Sequence, residues 1–325
     1  MHKIINIISI FLPSFIQIPL RKLFGQKIGR GSKIGFGSFV NAKSIQIGNN
    51  VKIGNFTVIY AEKIDIGNNT TIKSFSFTKT RVIQFREYVH IANFAFINSG
   101  FMKNSKIIIG NHSRVFPFCW LDTGESIQIG KHVGIGGFTL IFTHSVWTNY
   151  LKGGPITYAP VVIEDEVWLP WRVFIMPGVT IGKKSIIGAN SLVTKNVIEN
   201  SLVAGSPAKI IRNNFIKEPS KEEKDKRLIK VIDDFIEFLI FKNIIDVNFE
   251  KTTSYYKINK NYYINLSNMK KGTKGMIFDE IKNNTHSSFS VIDIENLEIN
   301  IYKNDIIANE FISFLRRYGI RLTIK

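Results

Sequence analysis

Aliphatic residues recur at every sixth position between Ile163 and Val193, and the rest of the chain is organised around this stretch. An amphipathic helix repeats its apolar face every three to four residues and a strand alternates with period two, so a spacing of six requires another geometry. A β-solenoid supplies it, because three six-residue segments, each a short strand and a corner, complete one three-sided turn. Each aliphatic residue should then stack on its counterpart one turn later, about 4.8 Å away. The predicted stacks are Ile163 on Ile181, Leu169 on Ile187, and Ile175 on Val193.

The same pattern recurs from Lys27 onward as the phrase aliphatic-x-Ile-Gly, for example in Ser44-Ile-Gln-Ile-Gly48, with a second aliphatic residue six positions later. Predicted turns start at Ile28, Ile47, Ile66, Phe85, Ile109, Ile129, Ile163 and Ile181. Such self-similarity is typical of a solenoid whose turns contact only their neighbours. Gly182 and Gly188 follow two of the aliphatic positions, and we expect them to supply corner backbone angles that other residues avoid.

Two intervals are longer than one turn and predict excursions from the solenoid. The interval from Phe85 to Ile109 predicts a small bulge near residues 98–104. The interval from Ile129 to Ile163 predicts a loop over residues 142–160, which carries His144. A long loop on a regular solenoid usually carries function, because the scaffold has no structural need for it.

The pattern divides the chain into four segments. They are an N-terminal apolar or amphipathic helical segment (1–26), the solenoid (27–212), a linker (213–226) and a C-terminal α/β domain of unknown role (227–325). In the last segment, apolar spacing predicts a helix after residue 229. Strands are predicted at 255–266, 275–278, 289–301 and 320–324, with another helix at about 305–317.

The N-terminal apolar run over residues 4–20 contains Pro13, is short for a membrane-spanning helix and lacks an A-x-A-like cleavage site. Two interpretations of it remain open. In the first, it is a helix packed over the open end of the first turn. In the second, it is an amphipathic segment on the inner membrane surface, helped by Arg21, Lys22 and Lys27.

Charge and cysteine content narrow the function classes. The formal net charge of +18 predicts attraction to phosphates, nucleotides or anionic lipid. Nucleic-acid binding is not expected, because no aromatic platform or reading helix accompanies the charge. The single Cys119 excludes an intrachain disulfide framework and a multi-cysteine zinc site, which suits a reducing compartment. We therefore expect a cytoplasmic protein, with the inner membrane as its one candidate peripheral contact.

Several motifs carry a family resemblance. They are Val167-Trp168-Leu169, Met176-Pro177-Gly178-Val179-Thr180-Ile181-Gly182, Val193-Thr194-Lys195 and Ala204-Gly205-Ser206-Pro207-Ala208-Lys209. With these motifs, residues 27–212 resemble the hexapeptide-repeat acyltransferases, and in appearance most of all the sugar O-acetyltransferases of surface-polysaccharide biosynthesis. The resemblance implies a left-handed parallel β-helix, a homotrimer and acetyl-CoA as co-substrate, with no metal. Left-handedness follows from the resemblance alone, since crossover rules favour the opposite hand.

The resemblance also implies site residues. His144 matches the general base of the family, and an imidazole suits the removal of a proton from a sugar hydroxyl that attacks a thioester. Asp122 is expected to hold acceptor hydroxyls or to orient the imidazole. The remaining acceptor candidates are Asn93, Arg114 and Trp147. The donor candidates are Trp171, Ala189, Thr194, Lys195, Lys209 and Arg212, of which the basic ones suit phosphate oxygens. Pro170 departs from the family pattern and has no N–H to donate, so an oxyanion contact there would come from Trp171.

The expected function is O-acetylation of a sugar hydroxyl during assembly of O-antigen or capsule, with a sugar, nucleotide sugar or lipid-linked saccharide as acceptor. N-acetylation of a nucleotide-linked amino sugar is the first alternative, and a non-catalytic trimeric scaffold or binding module is the second. A γ-type carbonic anhydrase shares the solenoid, and His90, His112, His132 and His144 are available as ligands. The close paired-histidine spacing of that family is missing from this sequence.

Overall fold

The computed structural model describes residues 7, 9–99, 102–244, 250–251, 255–258, 262–265, 275–282, 285–293, 298–300 and 306–324. The chain forms two compact units, Met1–Lys217 and Glu218–Lys325. The first contains the solenoid and the second a mixed sheet with two helices. None of the helices that these ranges contain has the length and hydropathy needed to span a bilayer.

The solenoid strands in chain order are β1 (Lys27–Ile28), β2 (Lys33–Ile34), β3 (Phe39–Asn41), β4 (Ser44–Ile47), β5 (Lys52–Ile53), β6 (Val58–Tyr60), β7 (Lys63–Ile66), β8 (Thr71–Ile72), β9 (Phe77–Lys79), β10 (Val82–Phe85), β11 (His90–Ile91), β12 (Phe96–Asn98), β13 (Lys106–Ile109), β14 (Arg114–Val115), β15 (Trp120–Asp122), β16 (Ser126–Ile129), β17 (Gly134–Ile135) and β18 (Leu140–Ile141). They continue with β19 (His144–Val146), β20 (Ile156–Tyr158), β21 (Val161–Ile163), β22 (Trp168–Leu169), β23 (Phe174–Ile175), β24 (Thr180–Ile181), β25 (Ile186–Ile187), β26 (Leu192–Val193), β27 (Leu202–Gly205) and β28 (Ala208–Arg212).

Three sheets run along the solenoid and form its faces. Face A contains eight strands, from β1 to β24, and face C contains eight, from β3 to β26. Face B contains ten, from β2 to β28. Neighbouring strands within each face are parallel, except that β27 and β28 close the solenoid as an antiparallel pair. The order of strands is that of a three-sided coil in which the chain visits faces A, B and C in turn.

The registers confirm the predicted stacks. Ile163 pairs with Ile181 and Ile175 with Val193, while Trp168 pairs with Ile186 and so places Leu169 beside Ile187. The predicted turn starts also align from Ile28 to Ile47 and onward through Ile129 to Ile163. Their side chains are almost completely buried in one continuous apolar core. The spacing of six residues therefore arises because each turn places one inward side chain on each face.

Gly182 and Gly188 lie at corners as predicted, but the predicted reason, a backbone angle that other residues avoid, was wrong. Gly182 and Gly188 have no positive φ angle, and the left-handed positions lie two residues later, at Lys184 (φ 61°) and Asn190 (φ 57°). A Cβ at residue 182 would lie 2.5 Å from Glu199 N, and one at residue 188 would lie 2.5 Å from the Ala204 Cβ. Glycine is required here because the next turn passes directly over it, and no side chain fits between them.

The two predicted excursions leave the solenoid at the same corner, between faces C and A. The first lies between β12 and β13, and two residues of the predicted bulge, 100 and 101, are outside the described residues. The second is not an irregular loop, because β19 and β20 pair as an antiparallel hairpin. A 3₁₀ turn, Tyr150–Lys152, lies at the tip of this hairpin.

The N-terminal segment packs on the first turn, as the first interpretation expects. A 3₁₀ turn (Ser9–Phe11) precedes helix α1 (Ser14–Leu23), and residues 1–6 and 8 of the predicted segment lie outside the described residues. Arg21 was assigned to a membrane contact, and this is corrected, since its side chain is fully buried. Burial lowers the pKa of the Arg21 guanidinium to about 10, because desolvation disfavours its charged form.

The C-terminal unit begins with helix α2 (Lys221–Phe241), which starts inside the predicted linker because Ser220 and Glu223 form a capping box there. The strands are β29 (Glu250–Lys251), β30 (Tyr255–Ile258), β31 (Tyr262–Asn265), β32 (Gly275–Lys282), β33 (Thr285–Asp293), β34 (Glu298–Asn300) and β35 (Thr323–Ile324). Helix α3 (Ile306–Leu315) is followed by a 3₁₀ turn, Arg316–Tyr318.

Two of the predicted C-terminal strands are pairs of shorter strands. The 255–266 segment forms β30 and β31, which are antiparallel neighbours, and the 289–301 segment contributes to β33 and β34. Residues 259–261, 266, 294–297, 301 and 305 of the predicted elements lie outside the described residues. The apolar side of α2 packs on α3 through buried residues that include Phe235 and Phe311.

Candidate active site

The candidate site lies where face C passes into face A, at a corner that we call the C–A edge. In successive turns the described residues of this edge are 42–43, 61–62, 80–81, 99 with 102–105, 123–125, 142–160, 176–179 and 194–196. Both excursions therefore leave from it, and the short corner at 123–125 lies between them. The other two corners, the A–B edge and the B–C edge, carry turns of constant length.

His144 and Asp122 meet at the C–A edge. Asp122 is the last residue of β15, and His144 lies one turn later, at the start of the hairpin. His144 Nδ1 is in ion-pair contact with Asp122 Oδ2, and Nδ1 has no other polar partner among the described residues. The His144 side chain is 38% exposed and that of Asp122 only 9%. The imidazole can therefore reach an acceptor, whereas the carboxylate is placed to orient the ring.

Sequence reasoning missed three residues that hold this pair. Thr143 Oγ1 donates to Asp122 O at 2.8 Å and accepts from Glu125 N at 2.8 Å. Tyr158, on the returning strand β20, stacks on the imidazole with the ring centroids 5.7 Å apart. A Cβ on Gly124 would lie 3.1 Å from His144 Nδ1, so glycine leaves room for the ring. No motif marks these residues, because their contacts join different turns.

The other acceptor candidates do not converge with His144 within one chain. Asn93 lies on the B–C edge, where its Nδ2 donates to Ser74 O at 3.2 Å. Arg114 faces outward from face B and pairs in register with His90. Trp147 is 98% exposed in the hairpin that begins at His144. Of the three, only Trp147 shares the C–A edge with the candidate base.

The donor candidates divide between two edges. Thr194 and Lys195 follow β26 at the C–A edge, the edge of His144. Trp171 and Ala189 lie at the B–C edge, where Trp171 O accepts from Asn190 N at 3.2 Å. The Trp171 ring also continues a ladder of stacked aromatic rings, with its centroid 5.8 Å from that of Phe138. Lys209 and Arg212 are exposed on the closing strand β28.

The single cysteine is not a nucleophile in this environment. Cys119 is 1% exposed, and its Sγ donates to Gly136 O at 3.1 Å. Burial raises the pKa of the Cys119 thiol to about 11, because desolvation disfavours the thiolate. The thiol is therefore protonated at neutral pH, and its burial gives no support to a covalent cysteine intermediate.

The three other candidate metal ligands, His90, His112 and His132, lie on other faces or edges than His144. His112 and His132 stack on each other at the A–B edge with centroids 5.0 Å apart, and His90 lies on face B. Within the described residues there is no group of three His, Cys, Asp or Glu side chains that could hold a metal ion. This placement gives no support to the carbonic anhydrase alternative.

The orienting role of Asp122 predicts a loss of rate without a loss of folding. If the protein acetylates a sugar, Asp122→Asn should lower the rate by roughly tenfold or more, less than the loss of the base itself. The amide keeps the size of the side chain but can turn a donor N–H toward His144 Nδ1 in place of the carboxylate oxygen. Single-turnover rates and the melting temperature of the variant separate the two effects. A rate equal to that of the wild type would show that the carboxylate only fills space.

Comparison with known proteins identifies the family to which the repeat sequence is similar. A family model described as the hexapeptide repeat of succinyl-transferase matches residues 26–61 and 160–195. The galactoside O-acetyltransferase of Escherichia coli is 33% identical over 126 residues, covering 32% of this chain and 62% of that protein. The galactoside O-acetyltransferase of Lactococcus lactis is 34% identical over 119 residues, covering 37% of this chain and 49% of that protein.

Among solved structures, a hexapeptide-repeat-containing acetyltransferase from Vibrio cholerae is 31% identical, with 46% of this chain and 73% of that one covered, at a TM-score of 0.33. The chain spans between 41% and 62% of the length of the first three curated relatives that it matches. The matched segments lie within the parallel solenoid with its six-residue register. The chain belongs to the hexapeptide-repeat acetyltransferase family.

Proposed function

We propose that this protein moves an acetyl group from acetyl-CoA to a hydroxyl of a sugar, with His144 as the general base. The observation that carries the proposal is the contact between the partly exposed His144 ring and the buried Asp122 carboxylate. A sugar hydroxyl is a poor nucleophile, so a positioned base that accepts its proton accelerates its attack. The two galactoside O-acetyltransferases among its relatives support a hydroxyl acceptor.

In the proposed reaction, His144 and Asp122 are sufficient for both proton transfers. His144 accepts the hydroxyl proton as the sugar oxygen forms its bond to the acetyl carbon. As the bond from that carbon to sulfur breaks, the imidazolium returns the proton to the departing sulfur. Asp122 holds the ring and stabilises its positive charge between these two events. The base is thereby neutral again at the end of each turnover.

The chemistry of the donor candidates fits coenzyme A. Lys195, Lys209 and Arg212 are exposed cations, and such side chains pair with phosphate oxygens. Thr194 and Ala189 lie at opposite ends of the two-residue strand β26, on different edges. A donor that contacts both must therefore cross face C or lie between two copies of the chain.

Face C itself supports a homotrimer. Its outward positions form a column of Phe39, Val58, Phe77, Phe96, Trp120, Leu140, Phe174 and Leu192. The Phe77 and Phe96 rings are 4.7 Å apart, and Trp120 is 43% exposed. A continuous outward apolar column on a sheet is typical of an interface. Closed threefold assembly would bring His144 of one copy beside a neighbour, and light scattering that finds an active monomer would contradict it.

We place the acceptor in surface-polysaccharide assembly, as a sugar, nucleotide sugar or lipid-linked saccharide. The net charge of +18 favours acceptors that carry phosphates. Use of acetyl-CoA and a single reduced cysteine favour the cytoplasmic side of the membrane.

Mass spectrometry of reactions with acetyl-CoA and a panel of hydroxyl and amino sugars tests the proposal. We expect acetate on a sugar oxygen. A product acetylated only on nitrogen would replace the proposal with N-acetylation of an amino sugar. If coenzyme A binds and no acceptor in the panel is modified, the scaffold or binding-module alternative gains support.

A further inference from the structure

Helix α1 turns its polar side inward and its apolar side to solvent. Gln17 and Arg21, four residues apart and hence on one helix face, are fully buried. Phe11, Phe15 and Leu23 follow one another at multiples of four residues and are 71%, 77% and 79% exposed. Ile7 and Ile16, which are near this stripe in sequence, are 53% and 44% exposed. This arrangement is the reverse of that in an ordinary surface helix.

The open end of the solenoid explains why the polar side faces inward. Strands β1, β2 and β3 are the edges of their sheets, with no earlier turn to accept or donate their hydrogen bonds. Gln17 Nε2 donates to Ile34 O at 3.1 Å, and Arg21 Nη1 donates to Val40 O at 3.0 Å. Ser14 Oγ accepts from Ile34 N at 3.0 Å.

Rotating the helix to bury its apolar stripe would leave these edge groups unsatisfied in a dry environment, which costs about 1–3 kcal/mol for each group. The outward direction of Phe11, Phe15 and Leu23 is therefore fixed by the solenoid. The stripe is a permanent feature of the surface.

The first part of the chain, which carries the stripe, has charges of one sign. Residues 1–61 contain eight Lys and Arg residues and no Asp or Glu, and the first acidic residue is Glu62. Lys22, Lys27, Arg30 and Lys33 are all exposed within or just after the helix. A second copy docked on this stripe would bring like charges together, whereas an anionic surface would neutralise them. The occupant that complements both the stripe and the charge is a bilayer with anionic headgroups.

We propose that α1 and the 3₁₀ turn before it dock the protein on an anionic lipid surface, with the Phe11, Phe15 and Leu23 side chains inserted at the level of the headgroups. A short helix lying in the plane of the interface, with aromatic and aliphatic side chains below and basic side chains beside it, binds by apolar burial and by attraction to anionic lipid. This docking requires no acetyl transfer, so its test is separate from that of the proposed function.

Vesicle co-sedimentation of the full chain, without acetyl-CoA, tests this docking. The wild type should bind vesicles of phosphatidylcholine mixed with phosphatidylglycerol, should bind pure phosphatidylcholine far more weakly, and should be released by added salt. The double variant Phe15→Ser with Leu23→Ser should bind the mixed vesicles at least about tenfold more weakly, because two inserted apolar side chains are lost. Its melting temperature should match that of the wild type, since both side chains are exposed.

The matched control is Phe241→Ser with Ile198→Ser, which removes a phenylalanine and an aliphatic residue that are 84% and 54% exposed elsewhere on the chain. This variant should bind like the wild type. Equal losses in both double variants, or no binding by the wild type, would overturn the proposal. So would a wild-type oligomer that becomes smaller only in the Phe15→Ser, Leu23→Ser variant, because the stripe would then be a contact between copies.

Discussion

His144→Ala is expected to lower the acetylation rate by roughly 10²- to 10⁴-fold, the usual contribution of a positioned general base. Folding and coenzyme binding should be nearly intact, because residue 144 lies on the hairpin outside the stacked core. Single-turnover rates with acetyl-CoA and the acceptor measure the chemical step, and thermal melting checks the fold.

The pH profile gives this prediction a second readout. The wild-type rate should fall on acidification, because a protonated imidazole cannot accept the proton of the sugar hydroxyl. His144→Ala should lose this acid limb and keep a slow background rate. If the variant turns over within about threefold of the wild type, the base is another residue.

The control for His144→Ala is His132→Asn. His132 lies at the A–B edge with φ 56°, in the column where Asn50 and Asn69 occupy the same backbone conformation. Asparagine tolerates that conformation, so the substitution should introduce little strain. Activity close to that of the wild type would show that loss of a histidine is harmful only at the C–A edge.

Ile181→Asp is expected to prevent stable folding. Ile181 is fully buried and stacks on Ile163 within face A. A carboxylate there would have no cation to pair with in the surrounding apolar core, at a cost on the order of 5 kcal/mol even after relaxation. That is comparable to the whole stability of many proteins. The soluble yield and melting temperature of the variant measure the effect.

Thr180→Asp is the matched control, because Thr180 neighbours Ile181 in β24 but faces outward with partial exposure. Its carboxylate would remain hydrated, so melting should change little. A soluble Ile181→Asp protein with unchanged melting would mean that the inward register of the solenoid is misassigned.

The hydrophobic pattern predicted the solenoid and its register because each turn buries one side chain per face. The stacks from Ile28 to Val193 follow from this one-per-face spacing, and the two excursions are predicted where the spacing is interrupted. The hairpin inside the long excursion was not predicted, since residues 142–160 have no strong alternation and the pairing of His144 with Tyr158 depends on a return strand.

The candidate site could be predicted only in part. The long excursion pointed to His144, and a family resemblance gave it a role. Asp122 was a candidate with two roles, and the choice between them rests on burial, which the sequence does not report. Thr143, Gly124 and Tyr158 were missed because each acts across turns, through a backbone carbonyl, an absent side chain or a ring face.

The sequence by itself determined the coil, its core residues and the corner from which both excursions leave, because each repeated apolar position must face the inside of the coil. The tertiary structure decided the direction of side chains whose partners exist only after the coil is built. Arg21 shows the difference most clearly. Its charge suggested a surface role, yet it is buried because the open end of the first turn presents the carbonyl of Val40, and the phenylalanines of the same helix face solvent as a result.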